Sequence, residues 1–178
     1  MQKYKLRKNY NDPGHAHELT WSCYRRMTLL RSDLACQLVA DAINKARITY
    51  NFAVWAYVFM PEHVHLLIHP RELSYDIALI RKAIKQASSQ RAISHLKKRN
   101  PDALDRLKVV NAQGVVSHRF WQQGGGYDRN LVSPEAIRAA IDYIYRNPVR
   151  RGLSDDIFGW KWSSARAFHD GGDSPNPH

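Results

Sequence analysis

A chain of 178 residues, 44% of them hydrophobic, is the size of one globular domain able to bury roughly 70% of its unfolded surface. Lys and Arg number 27 against 16 Asp and Glu, a net charge of +11 that favours a polyanionic partner over an acidic membrane surface. Two cysteines without zinc-ligand spacing, an N-terminus with no apolar core and no apolar run near the ~20 residues of a membrane span lead to the expectation of a cytoplasmic protein with no membrane partner.

Residues 1–14 are polar, basic and aromatic and end in the turn signal Asn11-Asp12-Pro13-Gly14. From His15 to Arg25 a first strand is predicted, with Leu19, Trp21 and Cys23 on one face. Its start carries the pair His15-Ala16-His17. Ser32 suits an N-cap, and Leu34, Leu38, Val39, Ala42, Ile43 and Ala46 then recur at helical spacing to about Thr49. Phe52 to Met60 is apolar on both faces and rich in β-branched and aromatic residues, as a buried central strand is. Met60-Pro61-Glu62 breaks it, and a second apolar strand runs from His63 through Ile68. On that strand His63 and His65 point to one face while Val64 points to the other. Two adjacent imidazoles are a half-site for a divalent metal, though partly buried histidines of no special role fit the same pattern. His15 and His17 are the rival pair.

Ser74 is a candidate cap for a second helix over about Tyr75 to Lys98, whose Arg81, Lys82, Lys85, Arg91, Lys97 and Lys98 make either a solvated face or a wall for a phosphate backbone. Asn100-Pro101 stops it. Val109, Val110, Val115, Val116 and His118 to Trp121 predict a strand or hairpin turning at Gln113-Gly114. Gly124-Gly125-Gly126 then permits close backbone approach, as a phosphate loop or a flexible hairpin end. Ser133, Pro134 and Glu135 give three agreeing start signals for a third helix, with Ile137, Ala140, Ile141 and Ile144 as its packing stripe and Asn147-Pro148 as its end. Residues 1–169 are expected to form one domain and the last nine, from Asp170, a disordered tail. Ten basic residues fall in three clusters: Lys3, Lys5, Arg7 and Lys8; Lys97, Lys98 and Arg99; and Arg146, Arg150 and Arg151.

At 100° per residue, Tyr143 and Asn147 lie about 40° apart on one helix face, while Tyr145 is about 160° from either. If the Asn147 amide completes a metal site, its partner tyrosine is therefore Tyr143. If not, Tyr143 is a packing aromatic and Asn147 a helix-end residue.

Four stretches, Met60-Pro-Glu-His-Val-His-Leu-Leu67, Arg119 to Asn130, Tyr143-Ile-Tyr-Arg-Asn-Pro-Val-Arg-Arg-Gly-Leu153 and Trp162-Ser-Ser-Ala165, together resemble the REP-associated tyrosine transposases. These belong to the single-tyrosine branch of the HUH endonuclease superfamily. The resemblance implies an α+β fold, a central antiparallel sheet of four to five strands with helices over one face (ferredoxin-like or RRM-like), the tyrosine helix closing over the histidines. It implies that His63, His65 and Asn147 hold Mg²⁺ or Mn²⁺, that Tyr143 is the nucleophile, and that single-stranded or hairpin DNA is cut and rejoined through a 5′-phosphotyrosine. Insertion-sequence relatives carry Gln where Asn147 stands, so the asparagine favours the REP-associated group. Both monomer and homodimer fit the family. With DNA as the polyanion, Arg81, Lys82, Lys85, Arg119, Arg129, Arg146, Arg150 and Arg151 are the residues expected to contact it. The departure is a long basic segment between the second helix and Phe120. A non-catalytic nucleic-acid-binding module, or a hydrolase using activated water, are the alternatives.

Overall fold

The protein is described by a computed structural model over residues 10–169; the basic N-terminal cluster and the expected disordered tail lie outside the described residues. β1 (Ala16–Ser22) leads through two short 3-10 turns into α1 (Asp33–Tyr50), followed by the hairpin of β2 (Phe52–Met60) and β3 (His63–Pro70). Then come α2 (Ile77–Arg99), the short α3 (Pro101–Asp105), a hairpin of β4 (Lys108–Val110) and β5 (Val116–His118), β6 (Tyr127–Leu131), α4 (Pro134–Arg150) and α5 (Ala165–His169). The main sheet has the order β2-β3-β1-β6 with every neighbouring pair antiparallel, and β4-β5 form a separate two-stranded sheet. The four main strands and the helices α1 and α2 make two interleaved βαβ units, the ferredoxin-like arrangement.

Side-chain alternation splits this sheet into two faces with separate cores. Leu19, Trp21, Cys23, Val64, Leu66 and Ile68 join α1 and α2 in one. Ala16, Met60, Leu67 and Leu131 join Ala140, Ile144 and Tyr145 of α4 in the other. Helices therefore flank both faces of the sheet and not one, since α4 has its own apolar stripe to bury. In β2 the pairing register slips between Val54 and Ala56, so Phe52 and Val54 share a core with Tyr57 and Phe59 despite opposite parity.

The helix starts follow local chemistry. Ser32 accepts a hydrogen bond from the Ala35 N–H at 3.4 Å, and Ser133 one from Ala136 at 3.2 Å. α2 is capped by Asp76, not Ser74; its carboxylate accepts from Ala78 and Leu79 at 2.8 and 3.2 Å. α4 does not stop at Asn147-Pro148 as its sequence suggests. Pro148 lies inside the helix, which runs to Arg150. A proline this close to the C-terminus forfeits one hydrogen bond and leaves a single turn beyond it, which Arg151 closes by donating to the Asn147 and Pro148 carbonyls, each at 3.2 Å.

The glycine stretch, whose Gly124 and Gly125 line a groove with Arg81, Lys82 and Lys85, is not a flexible hairpin end. It feeds β6, an edge strand paired with β1 that sequence reading missed. Gly126 has φ +72°, and a Cβ there would collide with the Thr20 carbonyl oxygen. At Gly125 a Cβ would lie 2.6 Å from the Arg81 guanidinium.

Candidate active site

β3 places His63 and His65 on the face that α4 covers, both buried. Their Nε2 atoms approach to 3.0 Å. The outer ring nitrogens are held: His63 Nδ1 lies 3.2 Å from Glu62 Oε1, and His65 Nδ1 lies 2.9 Å from Thr20 Oγ1. Thr20 reaches His65 because the two residues are paired across β1 and β3. Burial alone would raise the Glu62 carboxyl, but the Arg151 hydrogen bond and the His63 and Arg151 charges outweigh it and hold the group below the usual carboxylate range. An ionised carboxylate only accepts, so His63 carries its proton on Nδ1 and turns the Nε2 lone pair inward. Burial lowers His63 despite Glu62, and burial with the His63 charge pushes His65 down to about 3. Burial thus favours the neutral form of each ring, the form that ligates metal.

α4 supplies the other half. Tyr143 is 41% exposed and sets its ring edge-on to His65, centroids 5.6 Å apart. The Arg150 guanidinium lies 5.2 Å from the Tyr143 ring centre. Asn147 is buried, and its Nδ2 donates to the Tyr143 carbonyl at 2.8 Å, which turns Oδ1 away from the helix ladder. Tyr145 points the other way. It is 8% exposed, accepts a hydrogen bond from Ser164 at 3.3 Å, and burial pushes its phenol up to about 12. Glu18, Thr20, His65, Tyr127, Arg129, Ala139 and Tyr143 line a cleft of about 560 Å³ between the sheet and α4.

The donor set suits a divalent ion. Metal–imidazole bonds of about 2.1 Å meeting near a right angle separate two nitrogens by about 3.0 Å, the spacing found here. Among the described residues no third His, Cys, Asp or Glu joins the pair, so a further protein ligand would come from another residue type, such as an amide or phenol oxygen. The rival histidines do not converge. His17 faces the opposite core, with Nδ1 3.0 Å from Asp128 and Nε2 2.8 Å from the Tyr75 hydroxyl, while His15 Nδ1 is 3.1 Å from the Asn130 amide.

Residues 13–147 match the family described as transposase, IS200-like. The chain belongs to that family. Its members are transposases, and the chain is accordingly a DNA-processing enzyme by family. It is 25% identical over 149 residues to a Haemophilus influenzae protein assigned to the REP-associated tyrosine transposases, a match covering 80% of this chain and 77% of that one. A REP-associated tyrosine transposase of Escherichia coli is 24% identical over 145 residues, covering 82% and 70%. The solved structure of a REP-associated tyrosine transposase bound to a REP hairpin matches the fold with a TM-score of 0.70 and 22% identity, across 100% of this chain and 92% of that one.

Within this transposase frame the expected DNA-contacting residues fall into two groups. Arg81, Lys82, Lys85 and Arg119 line a groove of about 620 Å³ between α2 and residues 118–125. Arg81 is buried there and its guanidinium stands 3.8 Å from Asp128, so it serves the fold first. Lys85 donates to the Gln122 and Gly124 carbonyls at 3.0 and 2.7 Å, and burial lowers its pKa to about 8. The second group lies on β6, on α4 and at the C-terminal end of α4, with Arg129, Arg150 and Arg151 close to the histidine site. Arg129 pairs with Glu18 at 2.7 Å in the cleft, Arg146 with Asp142 at 2.7 Å on the helix surface, and Arg151 with Glu62 at 2.8 Å. Glu18, Thr20, Glu62 and Tyr127 were not singled out from sequence as site residues. Only Glu62 had a signal, its place beside His63; the others depend on strand register. Among the described residues no helix is long and apolar enough to cross a membrane.

Proposed function

We propose that the protein nicks and rejoins single-stranded DNA at hairpin-forming repetitive elements, with Tyr143 as nucleophile and Mg²⁺ or Mn²⁺ held by His63, His65 and Asn147. The observation that carries this reading is the pairing of the exposed Tyr143 ring with His65 at the mouth of a cleft where the His63 and His65 Nε2 atoms approach to 3.0 Å. Tyr145, the neighbouring phenol, is buried and engaged with Ser164. The hairpin preference is supported by the relative of like fold solved with a REP hairpin.

The Tyr143 oxygen attacks the scissile phosphorus, the P–O3′ bond breaks, and the 3′ oxygen leaves as a hydroxyl after taking a proton. The product is a 5′-phosphotyrosine that conserves the phosphodiester bond energy, so the freed 3′-OH can reverse the step without ATP. When bound, the divalent ion supplies Lewis-acid polarisation of the phosphodiester. Thr20 and Glu62 fix the two imidazoles, and Arg150 places a cation beside the phenol where negative charge develops. Arg129, at the cleft wall, is positioned for a neighbouring phosphate.

Incubation with single-stranded hairpin oligonucleotides and Mn²⁺ or Mg²⁺ tests this directly. A denaturation-resistant protein–DNA adduct is expected, mapping to Tyr143. No adduct points to a binding module or a hydrolase, and DNA on Tyr145 or Tyr127 overturns the assignment.

A further inference from the structure

Glu62 is a two-residue-turn carboxylate with more partners than a turn requires. Its backbone is already anchored, since the Glu62 carbonyl accepts from Cys23 at 2.8 Å and the Pro61 carbonyl from Leu30 at 2.9 Å. Its side chain is nonetheless buried, with Oε1 3.2 Å from His63 Nδ1 and 2.8 Å from Arg151 Nη1. A second guanidinium, Arg26, stands 3.8 Å from the same oxygen. Arg25 and Arg26 are consecutive non-glycine residues at φ 51° and 54°, a conformation that costs energy for residues of this size.

Arg151 is the residue that ends α4, and contacts run from it back to the tyrosine. The Arg151 N–H donates to the Asn147 carbonyl at 3.2 Å, and the Asn147 side chain donates to the Tyr143 carbonyl at 2.8 Å. A series of separate hydrogen bonds, linked through the covalent chain of Arg151 and Asn147, thus connects His63 and Glu62 to the Tyr143 backbone carbonyl on α4. It crosses from the sheet to the helix at a single carboxylate oxygen.

We propose that Glu62 is a positioning residue that couples the docking of the α4 C-terminus to the presentation of the His63 lone pair. This rests on the metal reading of the site given above. One oxygen serves both partners: with Arg151 in place the carboxylate is held where it orients His63, and when Arg151 withdraws the carboxylate is free to turn. Coupling of this kind is reciprocal. An ion that selects the inward-facing His63 also favours the docked end of α4, with Asn147 and Tyr143 upon it.

The test is Mn²⁺ titration of the full chain without DNA, by calorimetry, on variants whose folding is checked by thermal melting. Glu62→Gln keeps the shape and loses the charge; it is expected to weaken Mn²⁺ about 10- to 100-fold, the usual cost of losing such a partner. Arg151→Gln removes a cation whose charge also reaches His63, a loss that by itself would favour Mn²⁺; if the coupling through Glu62 dominates, the variant is expected to weaken Mn²⁺ as well. Arg151→Lys restores much of it, and the double variant is no weaker than Glu62→Gln alone. Additive losses, or wild-type Mn²⁺ affinity in Arg151→Gln, overturn the coupling. Wild-type affinity in Glu62→Gln overturns the positioning role. A change in melting temperature with unchanged Mn²⁺ affinity likewise reduces Glu62 to a fold contact. If His63→Ala binds Mn²⁺ as tightly as wild type, it is the metal reading that fails, a result distinct from all of these.

Discussion

His63-Val64-His65 and His15-Ala16-His17 are the same pattern one strand apart, and the sheet treats them in opposite ways. In the first pair both rings face the α4 side, their outer nitrogens are held by Glu62 and Thr20, and the inner nitrogens meet at 3.0 Å. In the second, His15 lies just before β1 and His17 is sealed in the other core with both nitrogens engaged. Two imidazoles on one strand are therefore not yet a metal site. What distinguishes the first pair is an orienting partner on each outer nitrogen and inner nitrogens that face only each other, the arrangement the proposed metal site needs.

The largest expected effects break this comparison outright. His63→Ala and His65→Ala should each abolish metal-dependent adduct formation while single-strand binding, measured by anisotropy, stays near wild type. Tyr143→Phe should do the same with Mn²⁺ affinity intact, because only the phenol oxygen is lost. If His15→Ala or His17→Ala proves the inactive variant, the site is on the wrong strand.

His17→Ala should instead show in stability. It leaves the largely buried Asp128 without its imidazole and should cost about 2–4 kcal/mol in a denaturant titration, with adduct formation per folded molecule nearly normal. Tyr145→Phe removes one buried hydrogen bond, worth about 0.5–1.5 kcal/mol, and the adduct should still form.

The smallest effect separates the two basic regions. If about five phosphates are neutralised, log K for a single strand falls with log[salt] at a slope of roughly −3.5. Lys85, lowered to about 8, is mostly charged at pH 7 and mostly neutral at pH 9. If the α2 groove holds phosphate, the slope should shrink by up to about 0.7 over that interval, and Lys85→Met should remove the pH dependence. An unchanged slope would assign phosphate binding to the cleft around Arg129 and Arg150.

Sequence reading reached whatever local pattern determines. β1, the β2–β3 hairpin and the start of α4 carry strong local signals and form as expected. The i, i+4 geometry separated Tyr143 from Tyr145, and one is exposed in the cleft while the other is buried. Elements governed by distant partners were not legible. β6 is short and mostly polar because it lies at an edge, and it follows a glycine run because the tight approach to Thr20 requires Gly126. Pro148 reads as a stop, yet α4 is held by packing on the sheet. Thr20 and Glu18 became site residues only through register. The assignment of the ligand set came from family resemblance, since spacing alone left the bland readings open.

The sheet order has a consequence for how substrate arrives. β6 is the outermost strand, and among the described residues no strand pairs beyond it. Tyr127 and Arg129 on this rim line the same cleft as Tyr143. Under the proposed function, a DNA strand enters by being laid in sideways across β6, with no end to thread. A covalently closed single-stranded circle should therefore be captured as readily as a linear oligonucleotide of the same sequence, so a hairpin extruded in the middle of a chromosome is no worse a target than one at a terminus.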